Sequence, residues 1–226
     1  MSIRARVTRR EVFLLPVVGV LAAVGRDSSA SPITAADVAG RVQSFYDDTK
    51  TFRANFVQVF VMKVQNKKKE SKGRLVFEKP GKLSFRYEEP NGNRAVSDGK
   101  TIKIYEKEAD QMFISPVGKS QYPAALAFLE GGGNLEKNFT LKLLDSTAMK
   151  FEGGFVLECV PIEDTPAYAK MLLYADAETS QVRRVLLIDA QSNRNRFDFS
   201  DPVINAEVEP EEFDFTPPKG TKLVKP

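Results

Sequence analysis

Four consecutive residues, Ser97-Asp98-Gly99-Lys100, bring a hydroxyl, a carboxylate and an amine together, the raw material of acid–base or acyl-transfer chemistry. Alternating apolar residues flank them, and Asp-Gly between such runs marks a two-residue hairpin turn whose positive φ glycine tolerates. A turn is the expected role. Cys159 alternates with Leu157 and Phe155 in a chain that has no His to activate a thiol, so a buried, inert sulfur is expected. The neighbouring carboxylates Asp47 and Asp48, and Glu88 and Glu89, point to different sides and make poor acid–base pairs. With no His and one Cys, the commonest general base, the commonest zinc ligand and any intramolecular disulfide are missing. Metal-ligand spacing, phosphate loops and internal repeats are also missing, so no catalytic residue, metal or cofactor is expected.

Charge carries more information than nucleophiles do. The formal net charge is +3, but residues 1–30 hold five Arg against two acids. Residues 31–226 then hold 28 bases and 28 acids. A neutral body gives no reason to expect a nucleic-acid partner. Lys67-Lys68-Lys69 is expected at a loop tip between the first two strands, either solvated or docking to an acidic partner or anionic lipid. Arg183, Arg184, Arg194 and Arg196 lie close to Asp189, Asp198 and Asp201 and should form a mixed, solvated sheet face. The basic start precedes an apolar run of 14 residues, Val12 to Gly25, and then Ser28-Ser29-Ala30. That is the layout of a secretory signal peptide, too short for the ~20 residues of a spanning helix. Thr8-Arg9-Arg10-Glu11-Val12-Phe13-Leu14 resembles a twin-arginine export signal, with Val12 where an aromatic is ideal. Cleavage after Ala30 would leave one domain, 31–226, and no Cys stands near the cut to take a lipid.

A Thr34 N-cap with Val38, Val42 and Phe45 behind it predicts an amphipathic helix over 34–49. From Phe52 the period becomes two and turns recur every eight to twelve residues. Eleven antiparallel strands are expected, near 52–64, 72–79, 82–88, 93–98, 101–107, 110–115, 139–145, 154–162, 168–175, 182–189 and 194–200. A short helix, Tyr122 to Leu129, apolar on nearly every side, is expected before Gly131-Gly132-Gly133. Leu83, Phe85 and Tyr87 line one side of their strand against Ser84, Arg86 and Glu88, and Phe197 and Phe199 alternate with Arg196 and Asp198. So large an apolar face exceeds what two helices can cover; the sheet must fold on itself or keep a cavity.

Three blocks in order carry a family resemblance: Gly73 to Tyr87, Val96 to Tyr105 and Phe213 to Gly220, preceded by Thr51-Phe52-Arg53-Ala54-Asn55-Phe56-Val57-Gln58. Together they resemble LolA, the periplasmic outer-membrane lipoprotein carrier family, over most of 34–222. The resemblance implies a mainly β (α+β) fold, an open half-barrel whose concave apolar face is lidded by helices and receives acyl chains. It implies acylated lipoproteins as cargo, an inner-membrane release complex as donor and an outer-membrane receptor as acceptor; the protein is expected to be a monomer. Where this family usually has an Arg whose hydrogen bonds hold the lid, this sequence has Lys79, a point charge without the planar fork. Arg74 and Arg86 fall by parity on the opposite face. The side chains expected in the cavity are Phe52, Phe56, Phe60, Leu75, Phe77, Leu83, Phe85 and Tyr87, with Val38, Val42, Phe45, Leu126, Phe128 and Leu129 on the lid. The first three rest on strand parity, and Val57, Val59 and Val61 could replace them. A carrier of another lipid, or a sensor of envelope stress on the same half-barrel, is the rival expectation. A hydrolase is disfavoured by the absence of His.

Overall fold

Thr34 opens the first element. Its hydroxyl accepts from the Asp37 N–H at 3.1 Å while the Asp37 carboxylate accepts from the Thr34 N–H at 2.9 Å, a reciprocal capping box. From that start α1 runs Ala35–Asp48, burying Val38, Ala39, Val42 and Tyr46 along one stripe. The structure is a computed structural model that describes residues 32–117 and 133–224.

Past Thr49 the chain becomes strand: β1 (Thr51–Met62), β2 (Lys67–Glu78), β3 (Lys82–Tyr87), β4 (Arg94–Asp98), β5 (Thr101–Glu106) and β6 (Gln111–Pro116) form one meander. After the one-turn helix α2 (Leu135–Asn138) come β7 (Phe139–Leu144), β8 (Gly154–Pro161), β9 (Lys170–Asp176), β10 (Val182–Ile188), β11 (Arg194–Ile204) and β12 (Lys222–Val224). All twelve belong to one open sheet, ordered β12-β6-β5-β4-β3-β2-β1-β11-β10-β9-β8-β7. Pairing of β1 with β11 joins the two meanders. The predicted fold class holds: a mainly antiparallel open sheet with short helices.

Three details differ from expectation, and one expected element is not among the described residues. β12 is a twelfth strand, and it pairs with β6 in parallel, which the 8–12-residue turn rhythm could not signal. β2 starts at Lys67 rather than near 72, so Lys67, Lys68 and Lys69 pair with Met62, Val61 and Phe60, and the turn is 63–66. Main-chain pairing needs no apolar side chains, which is why a lysine run can be strand. β11 continues to Ile204 past an irregularity opposite Ala54, where Asp201 takes φ 51°. The helix predicted over 122–129, with Leu126, Phe128 and Leu129, lies outside the described residues.

Register assigns the faces. Phe52, Ala54 and Phe56 share a side with Phe77, Leu75 and Gly73 of β2 and with Leu83, Phe85 and Tyr87 of β3. Across the β1–β11 seam the same face continues through Phe197 and Phe199 to Val185, Leu173 and Leu157. α1 packs on this inner face, and its buried residues share one core with the strands. The outer face is crossed by the segment after β11. Its anchors are Asn205, whose side-chain oxygen accepts from the Lys50 N–H at 2.7 Å, and a 3-10 turn, Pro210–Phe213, against β3 and β4. Lys103 then pairs with Asp214 at 2.9 Å and Tyr105 meets Phe215 at 5.5 Å between ring centroids. This strap buries Ser84 and Val96, outer-face positions that two-sided alternation would leave wet.

Glu212 fastens the strap. Its carboxylate faces Arg74 at 2.8 Å, Arg94 at 3.3 Å and Arg86 at 3.5 Å, and accepts from the Ser84 hydroxyl. Burial alone would raise this carboxyl, but the Ser84 bond and the charges of Arg86, Arg94 and Arg74 outweigh it and hold the group below its ordinary range. A depressed folded value means that the contribution is full above the unfolded carboxylate range, near pH 4.3, and is lost as pH falls through the folded value. Glu212→Gln should therefore lower stability by about 2 kcal/mol at pH 7, because it leaves the largely buried Arg94 without its counter-charge while Arg74 and Arg86 stay solvated. Urea unfolding in steps from pH 7 down through the acid range checks this; the gap between parent and variant should narrow as pH falls through the folded value of Glu212, and a gap that does not change with pH would mean packing, not charge, holds the strap.

Candidate functional site

The inner face is built around aromatic rings. Phe52 stacks on Phe77 at 5.3 Å, and Phe56 stands edge-on to Tyr87 at 5.1 Å and Phe85 at 5.6 Å and meets Phe197 at 5.9 Å. Gly73 makes room for this: a Cβ there would sit 2.7 Å from Phe56 Cζ and 2.2 Å from the Arg86 carbonyl oxygen. Leu75, Phe77, Leu83 and Phe85 are almost wholly buried. Among the described residues the buried cluster on this face is apolar, with no charged side chain in it.

Tyr46 and Lys79 tie α1 to the sheet. The Tyr46 ring sits 6.3 Å from both Phe52 and Phe77, and its hydroxyl accepts from the Val182 N–H at 3.2 Å. Burial raises this phenol above its ordinary range, so it stays a neutral partner for the amide. Lys79 leaves the end of β2 and its ammonium donates to the Tyr46 carbonyl and, at 3.1 Å, to the Asp47 carbonyl. The last turn of α1 contains no basic residue and ends Asp47-Asp48. Lys79 supplies from another element the cation that this helix C-terminus lacks.

Of the residues expected in the cavity, Phe52, Phe56, Leu75, Phe77, Leu83, Phe85 and Tyr87 come together in this buried cluster. Phe60 does not. It keeps the inward parity but is only half-buried and stands outside the cluster, at the end of β1 away from Lys79. Its neighbours on that side are polar: Gln58 donates to Asn195 at 2.9 Å. Val59 is buried on the outer face and does not replace it. On α1, Val38 and Val42 are buried and Phe45 is half-buried. Sequence reasoning missed Tyr46, Phe197 and Phe199, and the far side from β8 to β10. The Phe197/Phe199 alternation was a usable signal; Met171-Leu172-Leu173-Tyr174, apolar on both faces, hid the rest.

The residues that suggested catalysis are spent on structure. Asp98 accepts from the N–H groups of Thr101 at 2.7 Å and Lys100 at 2.8 Å, and these bonds keep its carboxyl low. Ser97 accepts from Gly99 N–H and donates to the Gly81 carbonyl, both at 3.0 Å, and Gly99 takes φ 90°. Cys159 has no exposed surface; burial, helped by the Glu158 charge, pushes its thiol up to about 12. No group of three or more metal-ligating side chains occurs among the described residues.

Comparison with known proteins agrees with this geometry. The family model described as outer membrane lipoprotein carrier protein LolA matches residues 47–216. The outer-membrane lipoprotein carrier protein of Methylibium petroleiphilum is 30% identical over 190 residues, 84% of this chain and 90% of that one. That of Cupriavidus pinatubonensis is 27% identical, over 92% of this chain and 97% of its own. An uncharacterized conserved protein from Thermus thermophilus, of known crystal structure, shares the fold with a TM-score of 0.53 at 14% identity, covering 85% of this chain and 99% of that one. On this match, three quarters of its length, the chain belongs to the LolA family of outer membrane lipoprotein carrier proteins.

Proposed function

We propose that this chain is a periplasmic carrier that takes the acyl chains of lipoproteins onto its inner face and passes them from the inner to the outer membrane without covalent chemistry. The observation that carries the reading is one apolar face that crosses both meanders, from Leu83 and Phe85 to Leu173 and Leu157, in a chain whose relatives are named carriers. Residues 1–30 serve as the export signal, twin-arginine-like, and 31–226 as the carrier domain. No helix of the described residues is long and apolar enough to cross a membrane. Donor and acceptor are an inner-membrane release complex and an outer-membrane receptor, and the carrier works as a monomer.

Energetics favour a lidded site. At about 0.8 kcal/mol per methylene, a sixteen-carbon chain gains roughly 10 kcal/mol on burial, and several chains would gain tens. A site that deep would never release its cargo. An empty state held shut by α1 offsets part of the gain, since opening costs free energy before binding begins. Lys79 is the group we assign to that latch.

The test is to express the chain with its own N terminus in a diderm bacterium, recover it from the periplasm and weigh the native complex by mass spectrometry. An added mass equal to an acylated lipoprotein is the expected result. Bound phospholipid or glycolipid would move the cargo to another lipid; a protein that is empty and fails to keep an added lipoprotein in solution would sink the transport reading.

A further inference from the structure

The β1–β2 hairpin holds a feature that acyl binding does not use. Gly73 is the last β2 residue paired with β3, opposite Tyr87; the β3–β4 turn still holds Lys72 and Ser71 through Glu88 and Asn91, and β2 from Lys67 to Glu70 runs past it with β1 as its one strand partner. At the apex of this projection Val64 is 87% exposed, the most exposed large apolar side chain among the described residues. Lys63, Lys67, Lys68 and Lys69 surround it, all exposed. Among the described residues, Lys68 alone of the four has an acidic partner, Glu70 at 3.4 Å, a solvated pair of little strength. Half-buried Phe60 and Met62 sit directly across from Lys69 and Lys67.

A single exposed valine is ordinary on a protein surface, and so is a solvated lysine run. Their combination on the tip of a projecting hairpin matches the two layers of an anionic bilayer surface. Ammonium groups meet the headgroup phosphates, and the apolar apex passes between them toward the acyl boundary. An acidic protein groove would satisfy the lysines yet would need a pocket shaped for Val64; a bilayer needs none. We propose that the β1–β2 tip docks this protein onto the surface of anionic phospholipid bilayers. The contact is transient, because one small apolar side chain and a few lysines fall well short of an anchor. It goes beyond the carrier reading and does not depend on it.

The chain has no Trp, so Val64→Trp installs a single fluorescent reporter at the apex. Protein recovered after export is mixed with vesicles of phosphatidylcholine alone or with equal parts of phosphatidylglycerol. A blue shift of the reporter on the anionic vesicles only is expected, lost in 1 M salt, where the screening length falls from about 10 Å to about 3 Å. Glu178→Trp, in the exposed β9–β10 turn at the other end of the sheet, should not shift. In the parent background, Lys67→Gln, Lys68→Gln and Lys69→Gln together should weaken co-sedimentation on the order of 100-fold, about fivefold per lysine, with melting unchanged. Binding that survives the triple substitution would place the contact elsewhere and overturn the proposal, as would a failure to bind either vesicle, the result expected of a tip made for an acidic protein.

Discussion

Replacing Phe85 with Glu should strip the protein of acylated cargo and lower its unfolding free energy by about 4 kcal/mol. Phe85 is 1% exposed on the central strand β3, between Leu75 of β2 and Ala95 of β4, with Phe56 and Phe197 against its ring. Losing a buried Phe costs about 3–5 kcal/mol before the new carboxyl is counted. That carboxyl would lie on a face without a cation and would stay protonated rather than ionise there. The sign of its pH dependence follows. An acid whose folded pKa is raised binds its proton more tightly when folded, so the variant should gain stability as pH falls from 7 toward 5. Glu212 acts in the opposite sense and at lower pH, so the two effects separate in one titration. Phe85→Leu, smaller but apolar, should keep its cargo and most of its stability. Urea unfolding against pH, with native mass spectrometry of the bound fraction, checks both; a Phe85→Glu protein that still carries parental cargo would remove the inner face from the binding site.

Phe85 could be found from sequence because its strand obeys simple physics: Leu83-Ser84-Phe85-Arg86-Tyr87 alternates strictly, and a strand dry on one side and wet on the other has one solution. β1 had two. Phe52, Phe56 and Phe60 share one parity and Val57, Val59 and Val61 the other, and the tertiary contacts divide them partway along the strand. α1 and the facing strands bury Phe52 and Phe56, while Val59 is buried on the other face and Phe60 meets the Gln58–Asn195 end of the sheet. The outer face misled for a related reason. Ser84 and Arg94 look like solvent residues in sequence and are buried because Glu212 lies over them, 128 and 118 positions away. The family resemblance pointed to Lys79 as a latch candidate, but the residues around it did not show that its ammonium would meet the Tyr46 and Asp47 carbonyls. That depended on α1 ending without a cation of its own beside the β2 terminus.

Lys79→Met should loosen that end of α1 and make the protein bind acyl chains more tightly while releasing them more slowly. The ammonium donates to two helix carbonyls, and charge-assisted bonds of this kind contribute about 1.5–3 kcal/mol. Half-exposure places the loss near the lower figure, which is about a tenfold rise in the open population. Cys159 reports it, because the thiol is fully buried in the core that α1 shares and reacts only when that core opens. Its labelling rate by a thiol reagent at pH 8 should rise about tenfold in Lys79→Met, with global unfolding in urea shifted much less. On the latch reading proposed above, apparent affinity for a fluorescent fatty acid should rise with it, since a closed empty state lowers affinity by the fraction of molecules that are competent. Lys79→Arg should return both quantities to the parental values or below, because a planar guanidinium can reach the Tyr46 and Asp47 carbonyls at once. Faster labelling without tighter binding would make Lys79 a structural brace on α1 and not a latch on the cargo site; no change in either would leave the helix held by its packing, Tyr46 against Phe52 and Phe77 together with Val38, Ala39 and Val42 in the shared core.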